Sequence, residues 1–440
     1  MIFQFIDFKF NRQTFILKME YSYSGLDFNF KESLDFSEFK SADFNYDDLY
    51  EAFKILFLVS GISYYKLYAC AEIDLCDLVI NKEQADFLNF FYKNGLSEFI
   101  YTNRLDFEKN IPDFTKYAKD YDCEPLRGNF LDKSLLAWGG GKDSIVSSIL
   151  LDRLNLDYDL FAVKSDRIKD ETAKINGNTF YEVKRSLDSR LMEYNLKDET
   201  FNGHVPITGI LAFIKVLVSL MKGYNNIILS NEFSADEANL SYQGNKINHQ
   251  FSKGLEFEER INSYIQKFIH SKLNYFSLLR PFYELKIAEI FAQNAQDYFS
   301  VFSSCNRNFH FDSNKNIKSK NFCGECEKCA FVFLILSPFL SKKALIEIFK
   351  ENLFENKSLE LVYLELCGLA DKKPFECVGT FDESKAAFVL LKNHPDWKDS
   401  DFVLSFIEKI ADFDVDSFFQ LQNSYTFNSE WYLKIKDEFK

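Results

Sequence analysis

The stretch WGGGKDSIVSSILL, Trp138–Leu151, places three consecutive glycines between a short apolar strand and a helix. The strand is SLLAW, Ser134–Trp138, and apolar residues spaced three and four apart from Ile145 to Leu154 mark the helix. Such a turn directs backbone N–H groups toward an anion, and glycine lets the main chain approach a phosphate because no Cβ intervenes. The stretch therefore predicts a phosphate cradle, with an ordinary flexible connection as the alternative.

The residues that follow repeat the strand-and-helix pattern. DLFAV, Asp159–Val163, and NIILS, Asn226–Ser230, are short and almost continuously apolar, and Ile207 to Met221 has the pattern of a long helix. Solidly apolar strands that alternate with helices are typical of a parallel sheet covered on both faces. We therefore predict an α/β fold for this part of the chain.

The parts of the chain before and after this α/β segment have different hydrophobic patterns. Alternating apolar residues from Phe15 to Tyr23 predict a strand, paired with the preceding segment through a turn at Asn11-Arg12. The pattern becomes mostly helical after Asp47 and again beyond Leu340. We expect an N-terminal α+β domain over residues 1–128, a parallel α/β domain over 129–340 and a helical C-terminal region over 341–440.

Composition limits the classes of partner. The 440 residues are 47% hydrophobic and carry a formal net charge of −14, without a long basic cluster, which argues against nucleic acid as a partner. The most apolar run, Ala330 to Leu340, is too short to cross a membrane, and the first ten residues carry Asp7 and no basic segment. We expect a cytoplasmic protein whose nine cysteines serve metal binding or packing rather than disulfides.

The glycine turn matches neither Walker A nor the dinucleotide fingerprint in its spacing. It resembles the PP-loop of the ATP pyrophosphatase superfamily, whose pattern is Ser-Gly-Gly-x-Asp-Ser. Glycine replaces the serine at the first position, which removes one hydroxyl donor but leaves the backbone amides. The resemblance implies that ATP is cleaved between its α and β phosphates, that AMP is transferred to a substrate oxygen, and that Mg²⁺ offsets phosphate charge. The matching positions, expected to hold the ATP phosphates, are Gly139, Gly140, Gly141, Lys142, Asp143 and Ser144.

Four cysteines have the spacing of a metal site. FCGECEKCAF contains Cys323, Cys326 and Cys329, and Cys305 lies upstream in FSSCNRNF. Four thiolates suit a tetrahedral structural Zn²⁺ with no open position, and an iron–sulfur cluster is the alternative. The remaining cysteines lack such spacing and are interpreted as buried apolar residues: Cys70, Cys76, Cys123, Cys367 and Cys377.

Further stretches, taken in order, favour one family. They are NGHVPITGILAF from Asn202, SNEFSADEANL from Ser230, NHQFSKGLEFE from Asn248, LLRPFYELKIAEIFA from Leu278, and FSSCNRNF with CGECEKCAFVFLILSPFL from Phe302. Together with AWGGGKDS they resemble the UDP-N-acetylmuramoyl-L-alanyl-L-glutamate epimerase family over residues 131–340, and the outer parts match by length and order only. A PP-loop followed by a cysteine knuckle also resembles 7-cyano-7-deazaguanine synthase, which is roughly half as long and lacks the flanking parts.

The epimerase resemblance implies a PP-loop type sheet with a zinc knuckle and a UDP-sugar dipeptide substrate. That family inverts the terminal L-glutamate of a peptidoglycan precursor at the expense of ATP. An acyl-AMP removes the charge of the carboxylate, so the enolate oxygen can carry the charge that deprotonation of Cα creates. Hydrolysis of the acyl-AMP then makes the cycle irreversible.

Ligand-binding side chains are expected near strand ends and near the substrate's acidic groups. Asn231 and Glu232 directly follow a predicted strand, where open α/β sheets bind ligands, so we expect them to contact the cofactor. Candidates to hold Mg²⁺ are Asp236 and Glu237. The guanidinium fork matches carboxylate and phosphate, so the substrate-binding candidates are Arg280 and Arg307, and Lys142 is expected to neutralise phosphate.

Inversion also requires groups that remove and return a proton. His204 in GHVP and His249 in NHQF lie within family-like stretches and titrate near neutral pH; Glu284 in YELK is a further candidate. A purely structural role is the alternative for each. The histidines outside these stretches are His270, His310 and His394.

Two other functions remain open at this point. One is a nucleobase-modifying PP-loop synthase, and the other is a non-catalytic ATP-binding module, which makes no AMP with any substrate. The role of the N-terminal part is not encoded in a motif; its position alone suggests binding of the UDP-sugar. No pattern indicates an oligomeric state.

Overall fold

The computed structural model describes residues 1–40, 44–308, 320–370, 373–410 and 414–439. Its strands are β1 Phe3–Asn11, β2 Ile16–Tyr23, β3 Phe30–Asp35, β4 Ile73–Asp74, β5 Leu131–Ala137, β6 Tyr158–Val163, β7 Phe180–Ser186, β8 Tyr224–Leu229, β9 Leu240–Tyr242, β10 Asn245–Ile247 and β11 Asn274–Ser277. Its first helices are α1 Tyr50–Ser60, α2 Ile62–Tyr65, α3 Lys82–Gly95, α4 Ser97–Thr102, α5 Phe107–Asn110, α6 Lys142–Arg153, α7 Arg167–Asn176, α8 Ser189–Tyr194 and α9 Ile207–Lys222. The later ones are α10 Leu255–Phe268, α11 Glu284–Asn294, α12 Glu327–Leu336, α13 Lys342–Phe349, α14 Glu360–Leu366, α15 Phe381–Leu391, α16 Asp401–Ile407 and α17 Ser429–Glu438.

Five neighbouring strands, in the order β11-β8-β5-β6-β7, are parallel throughout. Their apolar residues alternate between two faces that are both covered: Leu135 belongs to one hydrophobic core and Leu136 to the other. The strands and the helix predicted from the sequence here are confirmed, with α9 ending one residue later than predicted. The mixed α/β class is confirmed, and the finer PP-loop type stays a prediction.

The N-terminal strands extend the same sheet. β1 and β2 form the predicted antiparallel hairpin, β3 pairs with β2, and β3 also pairs antiparallel with β7, where Ser33 lies opposite Ser186. The sheet of nine strands therefore runs without interruption across the predicted boundary at residue 128. The division of the chain into domains stays a prediction.

The C-terminal part is helical, as predicted, and packs on the second core. Its own centre is aromatic: Trp397 is fully buried, and its ring centroid lies 5.0 Å from that of Phe354. The loop between α14 and α15 returns to the sheet, where Asn239 Nδ2 donates a 2.8 Å hydrogen bond to the Pro374 carbonyl. This return brings the C-terminal part to the carboxyl ends of the parallel strands.

Within the described residues, none of the helices is both long enough and apolar enough to span a bilayer.

Candidate active site

The glycine turn links β5 to α6, and two of its three glycines are required by packing. Gly140 has φ +71°, and a Cβ there would lie 2.9 Å from Thr172 Oγ1. A Cβ on Gly141, the N-cap of α6, would lie 3.1 Å from the Ser303 carbonyl oxygen. A Cβ on Gly139 would meet nothing within 4 Å. The backbone is thus held closely at Gly140 and Gly141 and is open at Gly139.

The segment before the cysteine cluster fastens this turn. The backbone N–H of Ser303 donates to the Gly140 carbonyl at 3.2 Å, and Asn308 Nδ2 donates to Ser303 Oγ at 3.1 Å. The buried Ser304 hydroxyl faces Gly141 and has no hydrogen-bond partner among the described residues. The turn is therefore braced from outside its own βα unit.

Lys142 does not extend toward the open side of the turn. Its side chain is fully buried, and its ammonium forms ion pairs with Asp143 and Glu284. The predicted role of neutralising phosphate stays a prediction, and these two ion pairs do not favour it because they already engage the ammonium. Ser144 is also buried, and its hydroxyl donates to the Gly141 carbonyl at 3.0 Å.

Glu284, at the start of α11, is a buried carboxyl group with one unsatisfied oxygen. Oε2 pairs with Lys142, whereas Oε1 has no hydrogen-bond partner in the part of the chain that the structure describes and lies 3.9 Å from Lys328 Nζ. Burial raises the pKa of Glu284, the Lys142 charge opposes this, and the charges of Asp143 and Glu232 raise it further. Glu284 can therefore carry a proton at a pH where an ordinary glutamate is ionised.

The two predicted histidines lie side by side, joined by a glutamate from the N-terminal part. The ring centroids of His204 and His249 are 4.5 Å apart. Oε2 of Glu98, in α4, lies 2.6 Å from Nδ1 of His249 and 3.9 Å from Nδ1 of His204. Ligand atoms of all three lie within 4.8 Å of one another, but the short bond between Glu98 and His249 marks a carboxylate–imidazole pair rather than a set of metal ligands.

The environments of the two rings move their pKa values apart. Burial and then the neighbouring His249 charge lower the pKa of His204 to about 4. Burial alone would also lower the pKa of His249, but hydrogen bonds to Cys377 and Glu98 outweigh it and raise the pKa to about 10. At neutral pH, His204 is neutral and His249 is an imidazolium.

Cys377 lies among charged groups and not in an apolar core. His249 and Lys253 are charged neighbours of its thiol, and Lys328 Nζ donates to its backbone carbonyl. Burial alone would raise the pKa of Cys377, but the charges of Lys253, His249 and Lys328, with the His249 hydrogen bond, lower it to about 6. These neighbours stabilise the thiolate, so they do not favour the interpretation of Cys377 as an apolar packing residue, which stays a prediction.

Several of these residues were not singled out from the sequence. Lys253 and Lys328 lie within stretches that carry the family resemblance, so position in those stretches was an available signal. Glu98 and Cys377 lie outside them, and only the fold brings these two to the site.

Asn231 and Glu232 lie where they were predicted, just beyond β8, and both are buried. After β5 the chain forms β6 and β7 on one side of β5, and it then returns to form β8 on the other side. The strand order therefore reverses between β5 and β8, and the glycine turn and Asn231 lie on either side of that point. Open α/β sheets bind ligands at such a point. A 2.8 Å contact between the hydroxyls of Ser147 and Ser230 joins the two sides.

Arg280 is fully buried and committed to protein partners. Its Nη atoms donate to the carbonyls of Glu232 at 2.8 Å and Lys253 at 2.6 Å, and to Oε2 of Glu258 at 2.9 Å. These contacts position the segments that carry Glu232 and Lys253. Substrate binding by Arg280 stays a prediction, and this set of contacts does not favour it.

Arg307 lies beside the cysteine cluster, with a half-exposed side chain that pairs with Glu325 at 2.6 Å. The candidates for Mg²⁺ also have protein partners. Asp236 Oδ1 accepts a 2.7 Å hydrogen bond from the Leu255 backbone at the start of α10, and Glu237 pairs with Lys373 at 2.5 Å.

The other histidines lie apart from this cluster or outside the described residues. His270 packs against Phe130, with ring centroids 4.0 Å apart, and His394 occupies the turn before α16. His310 lies outside the described residues.

The four clustered cysteines converge as their spacing predicted. Sγ of Cys329 lies 3.4 Å from Sγ of Cys326 and 3.6 Å from Sγ of Cys323, and Cys305 Sγ lies 3.9 Å from Cys326 Sγ. A disulfide requires about 2.05 Å between sulfurs. These separations instead resemble the edges of a sulfur tetrahedron around one ion.

A cavity of about 510 Å³ opens at the carboxyl end of β6, beside the glycine turn. Asn308, which is bonded to Ser303, forms part of its wall, as do Lys66 and His204. Residues 163–165, which end β6, complete that side. The cavity is large enough for a nucleoside, and its lining is largely apolar with both basic and acidic side chains.

Comparisons with known proteins agree over most of the chain. The family model described as the MurL N-terminal domain matches residues 1–278, and the MurL C-terminal domain matches residues 301–417. A UDP-N-acetyl-alpha-D-muramoyl-L-alanyl-L-glutamate epimerase from Xanthomonas oryzae pv. oryzae is 36% identical over 360 residues, which is 82% of this chain and 78% of the relative. One of the same name from Micromonospora sp. is 34% identical over 364 residues, with the same coverage of 82% and 78%. The chain therefore belongs to the MurL family of epimerases, which are isomerases.

Proposed function

We propose that this enzyme epimerises the terminal L-glutamate of UDP-N-acetylmuramoyl-L-alanyl-L-glutamate to D-glutamate, as a step of peptidoglycan biosynthesis in the cytoplasm. ATP transfers AMP to the glutamyl carboxylate, which forms an acyl-adenylate and releases diphosphate. AMP leaves when the acyl-adenylate is hydrolysed. The observation that carries the proposal is the joint position of the glycine turn and a buried proton-transfer cluster at the point where the strand order reverses. The names of the relatives supply the substrate.

The ATP phosphates bind the N–H groups of the glycine turn. Free N–H groups at a helix start attract phosphate, and the close backbone packing at Gly140 and Gly141 presets their direction. The cavity beside β6 receives the nucleoside. Mg²⁺ usually takes one or two carboxylates together with phosphate oxygens, and the Asp143 side chain, 27% exposed at the turn, is the best-placed carboxylate.

Activation makes the proton on Cα acidic enough to remove. In the free carboxylate, deprotonation at Cα would place a second negative charge beside the first; in the acyl-adenylate, the acyl oxygen accepts it. Lys253 and Lys328 supply positive charge near Glu284 and Cys377. Such preorganised charge stabilises a developing oxyanion in a site that excludes water.

The four cysteines hold a structural zinc ion in this proposal. With Zn–S at about 2.3 Å, the sulfurs of a tetrahedral site are about 3.8 Å apart, close to the separations between 3.4 and 3.9 Å. An iron–sulfur cluster places several iron atoms between the thiolates and needs a wider cage. The zinc ion ties the segment that braces the glycine turn to the start of α12.

The decisive assay supplies the dipeptide precursor and ATP with Mg²⁺ and measures the chirality of glutamate released from the product. We expect D-glutamate, AMP and diphosphate. In deuterated water, label should enter Cα only when ATP is present. ADP and phosphate as products, or full labelling without nucleotide, would contradict the proposed mechanism.

Gly140→Ala tests the glycine turn against a matched glycine. The new Cβ would collide with Thr172 at 2.9 Å, so we expect AMP formation to fall at least about a hundredfold, as for loss of a positioned transition-state contact. Gly177→Ala is the control, because Gly177 has φ +85° but open space around its Cβ position. Equal losses in both variants would mean that backbone strain alone explains the effect.

A further inference from the structure

We propose that the Cys377 thiolate exchanges the Cα proton on one face of the activated glutamyl residue, while the Glu284 carboxyl group exchanges it on the other face. The inference rests on the proposed epimerisation and adds a residue to which no motif pointed. Inversion of a stereocentre by two groups requires one on each side of the carbon. The two must also differ in protonation state before each turnover.

Both residues contact one ammonium group, Cys377 through its backbone carbonyl. Lys328 Nζ lies 3.9 Å from Glu284 Oε1 and also donates a hydrogen bond to the Cys377 carbonyl. Glu284 Oε1 is buried and finds no hydrogen-bond partner among the residues described, so it can accept a hydrogen bond from a ligand. In the proposed arrangement, Lys328 faces the acyl oxygen and the two proton carriers flank Cα.

The loop between α14 and α15 is fixed at several points around Cys377. Lys373 pairs with Glu237 at 2.5 Å, Gln250 Nε2 donates to the Val378 carbonyl at 3.2 Å, and Glu383 Oε1 accepts a 2.6 Å hydrogen bond from the Glu284 backbone. Cys377 therefore sits on a braced segment and not on a free surface loop. The last of these contacts ties the segment directly to the residue of the opposite face.

The charged groups around the thiol favour its ionised form. His249, Lys253 and Lys328 supply positive charge, and Glu376, on the same loop, is the acidic neighbour. Burial and then the Cys377 charge raise the pKa of Glu376 to about 7, which weakens its opposition to the thiolate. A thiolate beside an imidazolium is a recognised form of reactive cysteine.

His249 itself is poorly suited to accept the proton. An imidazolium has no lone pair available, and Glu98 stabilises that charged form through the 2.6 Å bond to Nδ1. His249 and Glu98 therefore act as positioning residues that keep Cys377 ionised. His204 is neutral and lies beside them, so it could also accept the Cα proton. The experiment must therefore distinguish His204 from Cys377 as the proton carrier.

The step balances in protons and electrons. In one direction the Cα–H bond breaks, an S–H bond forms on Cys377, and the electron pair moves to the acyl oxygen. The O–H bond of protonated Glu284 then breaks as a new C–H bond forms on the opposite face, and the electron pair returns from the oxygen. One negative charge passes from Cys377 to Glu284, and exchange with solvent resets both groups.

The test replaces Cys377 by alanine and separates adenylation, proton exchange and inversion. ATP–diphosphate exchange with the dipeptide reports adenylation, and mass spectrometry reports deuterium at Cα, with L-glutamyl and D-glutamyl dipeptides offered in turn. We expect adenylation within about threefold of wild type and inversion lowered by about 10²–10⁴-fold, the usual contribution of a positioned acid or base. Deuterium should still enter the diastereomer whose hydrogen faces Glu284 and should not enter the other.

That asymmetry distinguishes a catalytic thiol from a structural one. Cys76→Ala, at an exposed cysteine, is the control and should retain both exchange and inversion. The proposal would be overturned if Cys377→Ala introduced label into both dipeptide diastereomers, or if it inverted glutamate within tenfold of the wild-type rate. Loss of adenylation would also overturn it, because Cys377 would then act in nucleotide binding. If the same asymmetry appears in His204→Gln instead, His204 is the second proton carrier. Failure of wild type to form AMP would refute the epimerase mechanism itself.

A second measurement does not depend on turnover. Iodoacetamide labelling of Cys377, followed by mass spectrometry, should rise with pH through about 6 and be at least tenfold slower with ATP and dipeptide bound. Cys76 should label only at higher pH, since partial desolvation and the charges of Asp74 and Asp77 raise its pKa. Labelling of Cys377 with the pH dependence of Cys76 would contradict the thiolate.

Discussion

Cys329 is a buried cysteine and Cys377 is a partly buried one in the same half of the chain, and their neighbours differ. Cys329 is surrounded by sulfur, with two cysteine Sγ atoms at 3.4 and 3.6 Å, whereas Cys377 is surrounded by His249, Lys253 and Lys328. Thiols that face thiols suit a soft metal ion, and a thiol that faces cations becomes a thiolate ready to accept a proton. The contrast teaches that the neighbours of a cysteine, and not its burial, decide its chemistry.

The two sites are also connected. Lys328 lies between Cys326 and Cys329 in sequence, at the start of α12, and its ammonium reaches both Glu284 and the Cys377 carbonyl. A metal ion at the first site would therefore hold a charged group of the second.

The largest expected difference is in stability. Cys329→Ser should abolish zinc binding and lower the free energy of unfolding by more than about 4 kcal/mol, as loss of a structural metal commonly does. Cys377→Ser should retain zinc and unfold within a few degrees of wild type. Metal analysis and thermal unfolding measure both variants. Equal destabilisation would mean that Cys377 is as structural as Cys329.

Removal of the metal should also weaken ATP binding. Ser303, which holds Gly140, lies two residues before Cys305, so loosening the cluster releases the brace on the turn. After zinc is chelated and Mg²⁺ restored, we expect the Kd for ATP to rise by roughly tenfold, about 1.4 kcal/mol. Calorimetric titration of the zinc-loaded and zinc-free enzyme measures this. An unchanged Kd in a folded, zinc-free enzyme would separate the two sites completely.

Glu98→Gln should affect the Cys377 site alone. Without the carboxylate, the pKa of His249 falls and less imidazolium remains, so the pKa of the Cys377 thiol rises above about 6. A rise of one unit corresponds to a roughly tenfold slower iodoacetamide reaction below that pH, with little change at pH 9. Glu108→Gln, at an exposed position nearby in the chain, is the control, and zinc content should not change in either variant. A pH profile identical to wild type would show that Glu98 does not act through His249.

The smallest expected effect concerns acid stability through His204. Its folded pKa of about 4 lies below the ordinary value of 6.5, so its neutral form contributes stability that is complete above about pH 6.5 and is lost as pH falls toward 4. Between pH 7 and 5, wild type should lose about 1–2 kcal/mol more stability than His204→Gln. Chemical denaturation at both pH values gives the comparison. Parallel losses would mean that His204 is solvated and not buried beside an imidazolium.

The sequence was sufficient for local structure and for contacts that spacing encodes. The parallel strands, α9, the β1–β2 hairpin and the convergence of the four clustered cysteines follow from apolar periodicity and short-range spacing. The pairing of β3 with β7 was not predictable, because two strands separated by well over a hundred residues carry no local mark of their partnership.

The residues of the candidate site also fall into those that the sequence predicts and those that only the fold brings together. The positions of Asn231 and Glu232 beyond β8 were foreseen because strand ends collect ligand-binding residues. The inward direction of the Lys142 side chain was not foreseen. A lysine after three glycines turns inward only where the fold provides a buried carboxylate such as Glu284 as its partner. Cys377 and Glu98 depend on tertiary contacts between distant segments, which one sequence does not disclose.

The return of the loop between α14 and α15 has a consequence for the emerging polypeptide during synthesis. The glycine turn and the Ser303 segment that braces it both precede Cys377, which is translated more than seventy residues after Ser303. A nascent chain can thus acquire a nucleotide pocket before it acquires its thiol. Adenylation without inversion would then be the activity of an unfinished enzyme, and stalled chains released at this stage would consume ATP without product.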